Sequence, residues 1–220
     1  MSRKNISKEK IIQAFLMAAF EKSAGGISLT DVAENLQIKK ASLYNHFEGK
    51  DAMYNSTIEY CGNELSKVSF LMDKTIYSIK NNKIGLTSLF KKLITRYINI
   101  FEMEPLFQIY VFINTEKYFN INEMNVVQNE YKKFKDEINQ ILQSYQDTNK
   151  ISKMSNKVLS DYSDGITSII NQKMDFYLFN RKEEIRQNPE SGVGSLFALD
   201  TNSELVDDIT RSINAIMMSI

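Results

Sequence analysis

The stretch from Ser28 to Met53, SLTDVAENLQIKKASLYNHFEGKDAM, decides the fold because it reads as two short helices meeting at a tight turn. Ser28 and Asp31 have the spacing of a capping box, in which the hydroxyl accepts from the third helical N–H and the carboxylate reaches back. Leu29, Val32, Ala33 and Leu36 then fall at i, i+3, i+4 and i+7, one narrow apolar stripe on a helix of about two turns. Helices below roughly 12 residues are marginal alone in water, so this one must dock on neighbours. Ile38, Leu43 and Phe47 supply the matching apolar contacts.

That docking leaves Lys39, Lys40, Ala41, Ser42, Tyr44, Asn45 and His46 to face outward. The set mixes cations, small residues and hydrogen-bonding groups, without the interleaved acids of an ordinary solvated helix. It suits a DNA duplex: in a helix-turn-helix the second helix approaches base edges, where Lys pairs with guanine acceptors and Asn with adenine. Tyr44, His46 and Lys50 suit phosphate oxygens, and a helix starting near Gly49 and Lys50 adds backbone donors with a favourable dipole. The plain alternative is a solvated face on some other small helical domain.

Leu43-Tyr44-Asn45-His46-Phe47 followed by Lys50, and preceded by Val32-Ala33 and Ile38, resembles the N-terminal domain of TetR-family transcriptional regulators. The resemblance covers roughly residues 7 to 55, with Ser7-Lys8-Glu9-Lys10-Ile11-Ile12 similar to the family's first-helix opening. It implies a dimeric, effector-controlled DNA binder. By this resemblance Lys39, Lys40, Ala41 and Asn45 occupy the base-reading positions with Ser42 between them, and Thr30, Tyr44, His46 and Lys50 the positions that meet the phosphate backbone. The chain departs from the pattern twice. Gln37 stands where the family's turn has Gly, which costs strain if that residue takes positive φ, and Lys39 replaces the usual Ser cap of the recognition helix.

With 220 residues, 43% hydrophobic and 25% charged, the chain has room for a small domain and a larger one. Formal net charge is zero, yet residues 1–50 carry eight Lys or Arg against five acids, so the cationic excess sits at the proposed head. The lone Cys61 excludes an intrachain disulfide, and with one His there is no Cys/His cluster for zinc, so no metal or cofactor is expected and a cytoplasmic location is. One His and one Cys also leave few nucleophiles or general bases, and no triad or phosphate-loop spacing appears; Gly192-Val193-Gly194 lacks a third glycine and a preceding strand. An enzyme is not expected. Arg3, Lys4, Lys8 and Lys10 before the apolar run Ile11 to Phe20 imitate a secretory leader, but Gln13 interrupts the run and its spacing is that of an amphipathic helix. No run approaches the roughly 18 apolar residues of a membrane span.

Beyond residue 50 helical periodicity dominates. The expected fold is all-α: a three-helix head over 1–50 and a larger helical bundle over 51–220 for effector binding and dimerisation. A linking helix runs from Lys50 into the early 70s, and Leu86, Leu89, Phe90, Leu93, Ile94, Tyr97, Ile98 and Phe101 mark the next. Pro105 suits the first turn of an apolar helix over Leu106–Ile113. Val127, Tyr131, Phe134, Ile138, Ile141 and Tyr145 mark another, followed by one over 155–180, a loose connection from Arg181 to Ser203, and a last helix from Glu204 to Ile220. That last helix and the one centred on Gly165 suggest a four-helix dimer interface using Ile166, Ile169, Val206, Ile209, Ile213 and Ile216.

The body is rich in aromatics, which at any one position are more often plain core. The resemblance implies an enclosed small-molecule effector, for which Tyr97, Phe101, Phe107, Tyr110, Tyr131, Phe134 and Tyr162 are lining candidates. Asp161 and Asp164, at i and i+3, read as surface acids. The expected function is a repressor that binds a palindromic operator as a homodimer and is released by a small, largely apolar ligand. The competing readings are an interaction adaptor that has lost DNA binding and, less favoured, a small-molecule enzyme.

Overall fold

A computed structural model describes residues 6–187 and 203–218, and every regular element among them is helical. In chain order these are α1 (Lys8–Gly26), α2 (Leu29–Asn35), a 3-10 helix (Lys40–Asn45), α3 (Lys50–Lys67), α4 (Thr75–Lys80), α5 (Leu86–Phe101), α6 (Leu106–Glu116), α7 (Ile121–Asp147), α8 (Asn156–Gln187) and α9 (Ser203–Met217). The all-α expectation holds. The expected connection from Arg181 to Ser203 begins as further turns of α8, and residues 188–202, with Pro189, Gly192 and Gly194, lie outside the described residues.

The chain divides into two compact units, residues 1–67 with 104–128, and residues 68–103 with 129–220. In the first, α1 packs on α2, α3 and α6. Its core is Ile11, Phe15, Leu16, Val32, Leu43, Met53, Phe107 and Phe112, each no more than 3% exposed. Phe15, Tyr54 and Phe112 meet edge to face at 5.8–6.3 Å, and Phe20 meets Phe107 at 5.2 Å. Such pairs add about 0.5–1.5 kcal/mol each beyond area burial.

The second unit is built on α5, whose stripe from Leu89 to Phe101 is buried as its spacing demands. Phe70 lies against Phe134 at 4.7 Å, and Tyr97 contacts Phe134 and Phe101 at 4.8 and 4.9 Å. The linking helix stops at Lys67, short of the early 70s, because the next residues turn to other partners: Glu137 accepts the Ser69 hydroxyl at 2.7 Å and the Phe70 N–H at 2.6 Å. Arg96 donates to the Ser69 carbonyl at 2.7 Å. Helix α9 packs on α5 and α8, and Lys91 and Lys173 pair with its Asp207 and Asp208.

Candidate nucleic-acid interface

The capping box at the start of α2 is complete. Ser28 Oγ accepts the Asp31 N–H at 3.2 Å, and Asp31 Oδ2 accepts the Ser28 N–H at 2.7 Å. A serine cap is worth about 1 kcal/mol, a large share of what so short a helix has. Asp31 also pairs with Lys22 at 2.7 Å, tying α2 to α1. The Lys22 ammonium, and then the Ser28 hydrogen bonds, hold the Asp31 carboxyl far below the usual carboxylate range. A depressed carboxyl stabilises the fold above its ordinary pKa, and that contribution is lost as pH falls.

The turn after α2 is a Schellman motif: the Gln37 N–H donates to Glu34 O at 2.9 Å and the Ile38 N–H to Ala33 O at 3.0 Å. The residue between must be left-handed, and Gln37 has φ 55°. This is the strain expected from a glutamine in the place of glycine. Gln37→Gly should therefore stabilise the fold by about 1 kcal/mol, read as a raised Tm, with no change in the outward face.

The second element is a 3-10 helix where an α-helix was expected. Its Ser42 N–H donates to Lys39 O at 2.8 Å and the His46 N–H to Leu43 O at 2.9 Å. Lys39 makes no side-chain cap, so nothing satisfies the first N–H groups of a longer α-helical turn, and six residues close in the tighter i+3 pattern. Leu43 and Phe47 point inward, 1% and 5% exposed. Lys39, Lys40, Ala41, Tyr44 and Asn45 are exposed, while Ser42 and His46 are half-buried at the rim. Thr30 is exposed on α2. Four of the five expected base-reading side chains, Lys40, Ala41, Ser42 and Asn45, thus share one six-residue element with Tyr44, and the fifth, Lys39, is its N-cap.

Lys50 begins α3 and its ammonium donates to the Gly25 carbonyl at 3.1 Å, at the end of α1. It therefore pins the C-terminus of α1 as well as adding a cation beside the helix start. The Lys8 ammonium sits 5.5 Å from the Phe47 ring. Among the described residues no group of three or more His, Cys, Asp or Glu is arranged to hold a metal, and no helix is long and apolar enough to cross a membrane.

The seven expected effector-lining residues are drawn from both units. Tyr97, Phe101 and Phe134 are buried against one another in the second unit; Phe107 is buried in the first against Phe20. Tyr110 and Tyr162 are half-buried, as is Tyr131, whose hydroxyl contacts Ser168 at 2.8 Å and donates to Asp164 at 3.1 Å. Asp164 is also paired with Lys135 at 3.3 Å, a surface acid as expected.

The expected interface residues divide as well. Ile166, Val206, Ile209 and Ile213 are no more than 3% exposed within the single chain, because the apolar stripe of α9 packs on α5 and α8. The correction is one of direction: that seam closes the unit's own core. Ile169 and Ile216 are half-buried. What faces outward on α8 is a row of which the sequence named only Tyr162, Gly165 and Ile169: Val158, Tyr162, Gly165, Ile169, Gln172, Phe176 and Phe179, spaced alternately by four and three. Phe176 and Phe179 are 63% and 61% exposed, and Phe176 lines a groove of about 570 Å³ together with Lys173, Tyr177, Leu205 and Asp208.

No protein-family model matches the chain. IcaR, the HTH-type negative transcriptional regulator of the biofilm operon icaADBC in Staphylococcus aureus, is 37% identical over 73 residues, 33% of this chain and 39% of that protein. The Staphylococcus epidermidis IcaR is 39% identical over 56 residues, 26% of this chain and 30% of that protein. The chain thus spans well under half the length of the curated relatives it matches. Over nearly the whole chain the likeness is structural. A TetR transcription regulator from Haloarcula marismortui aligns with a TM-score of 0.60 at 9% identity, covering 97% of each chain. A TetR transcriptional regulator from Legionella pneumophila aligns at 0.57 and 14%, covering 97% of this chain and 99% of its own.

Proposed function

We propose that this chain, whose fold is that of the TetR-family regulators, is a DNA-binding transcriptional repressor. One observation carries the reading: Lys40, Ala41, Ser42, Tyr44 and Asn45 stand on one short element with Lys39 at its N-cap, and Leu43 within it and Phe47 just beyond it are locked into the core. Such a face presents cations and an amide to a major groove without disturbing what holds it. Repression is favoured over activation because IcaR, similar in its matched residues, is a negative regulator. The regulators that it matches are not enzymes, and the few nucleophiles in its sequence agree.

The protein works as a homodimer on a roughly palindromic operator. The outward row on α8 supports this: four-and-three spacing is the rhythm of a helix-pairing seam, and a Cβ built on Gly165 meets nothing within 4 Å, so the chain's own helices leave that point open to a close approach. Phe176→Asp should then give a folded monomer with weakened operator binding, measured by light scattering and DNA titration. A small, largely apolar effector acts through the aromatic body, where Tyr97, Phe101 and Phe134 already cluster; the protein is cytoplasmic, as its DNA is.

Selection of bound duplexes from a random pool at moderate salt tests the whole reading. An inverted repeat is expected. Recovery of no consensus by folded, dimeric protein would favour the interaction adaptor instead.

A further inference from the structure

Two acids in the first unit have no place in the DNA-binding face. Glu116 ends α6 and is 7% exposed; Glu123, in the first turn of α7, is 0% exposed. Glu116 is well partnered: its Oε1 accepts the Ala24 N–H at 3.1 Å and its Oε2 the Tyr54 hydroxyl at a long 3.5 Å. Neither oxygen of Glu123 has a partner in hydrogen-bonding geometry. The Tyr54 hydroxyl lies 3.5 Å from Glu116 Oε2 and close enough to Glu123 to oppose the effect of burial on its carboxyl.

The surroundings supply no positive charge. The titratable groups that face the pair are Tyr54 and Cys61 of α3, both pushed up by burial, and α1 offers only its backbone. Glu116 and Glu123 make no ion pair among the described residues. A buried carboxylate without a partner is so costly that it takes up a proton instead. Burial, reinforced by the charge of Glu116 and opposed by the Tyr54 hydroxyl, raises the Glu123 carboxyl above its ordinary value.

Glu116 meets α1 at a strained point. Ser23 interrupts the helix with φ 63° and ψ 160°, a region that side chains rarely adopt, and the next N–H, freed from the helix, is the one Glu116 accepts. Beyond the kink come Gly25, held by Lys50, and the Ser28 cap of α2.

We propose that Glu116 and Glu123 form a proton-binding site, occupied by a single proton, whose emptying weakens the grip of Glu116 on the α1 kink and so loosens the DNA-binding head. When the proton leaves for water, two carboxylates face each other in an apolar site. Their repulsion is relieved by movement of α6 and α7 away from one another, and the Ala24 bond is what gives. The consequence for DNA rests on the function proposed above; the proton site itself does not.

The test is thermal unfolding of the full chain between about pH 6 and pH 9, with affinity for a selected duplex measured above pH 7.5. An acid raised in the folded state keeps its bound proton longest there, so stability is highest at low pH and falls as pH rises through the folded value. The wild type should lose Tm on this limb, and Glu123→Gln, neutral throughout, should lose this component and be the more stable protein at pH 9. Duplex affinity should fall with pH in the wild type, by no more than about tenfold per pH unit for one proton, and stay level in the variant. A flat wild-type Tm, or an equally steep variant, overturns the site. If Glu123→Gln does not fold, the infrared carbonyl band of a protonated carboxylic acid in the wild type at pH 7.5 decides, its absence overturning the proposal. A Tm slope that vanishes in the variant beside pH-independent duplex affinity keeps the site and overturns its link to the head. No duplex binding at any pH, with that same slope, defeats the DNA-binding reading alone.

Discussion

Phe15→Ala is expected to cost about 3–5 kcal/mol, the range for emptying a large aromatic site in a packed core. Its ring is fully buried and meets Tyr54 of α3 and Phe112 of α6 edge to face, so one truncation removes the contacts that join three helices. A small domain has on the order of 5–15 kcal/mol in all, so the variant should sit near its unfolding threshold at room temperature. Urea denaturation followed by circular dichroism measures it. Phe15→Leu, which leaves a smaller cavity, should lose markedly less. Equal losses in the two variants would mean that the aromatic contacts, which both remove, outweigh the volume that leucine restores.

The second large effect concerns DNA. Lys40→Ala and Asn45→Ala should each cost about 1–3 kcal/mol of operator binding and relax preference at a different base pair. Both residues are exposed on the 3-10 helix and flank Leu43, so each can be cut without touching the core. Together they should remove most discrimination between operator and unrelated duplex, while non-specific binding, carried by Tyr44, His46 and Lys50 on phosphates, persists with its salt dependence. Fluorescence anisotropy on both duplexes across a salt series separates the two components. Should the double variant still prefer its operator, the reading face lies elsewhere.

The head was legible because its signals are local. Ser28 and Asp31 announce a cap whose atoms are three residues apart, and the stripe on α2 names its inner face. Even the strain at Gln37 followed from one substitution in a turn that needs a left-handed residue. The 3-10 form of Lys40–Asn45 was not legible, since six residues carry too little apolar pattern to tell a three-residue from a four-residue step. Helix α4 was missed for the same reason of length.

For the body, periodicity tells which face turns inward but not what it meets. Val206, Ile209 and Ile213 were correctly seen as a seam, yet nothing in their spacing distinguishes the chain's own α5 and α8 from a second copy. Aromatic content could not separate core from pocket, so the candidates span both units, with Phe107 in one and Tyr97 in the other. The burial of Glu116 and Glu123 went unread. A signal existed: Glu123 stands four residues before Val127 and Glu116 three after Ile113, each in register with an apolar stripe.

The first unit is assembled from two pieces of chain separated by residues 68–103. Phe107, Phe112 and Glu116, which pack on or bind α1, are made long after the helix-turn-helix has left the ribosome. A nascent chain carrying only residues 1–67 has its proposed reading face spelled out but lacks Phe107 and Phe112 from its core, and it must wait for α6 before it can close. Folding of the head is thus completed by a late, long-range event in synthesis, and a growing chain passes through a window in which the face of α1 that meets α6 has no cover.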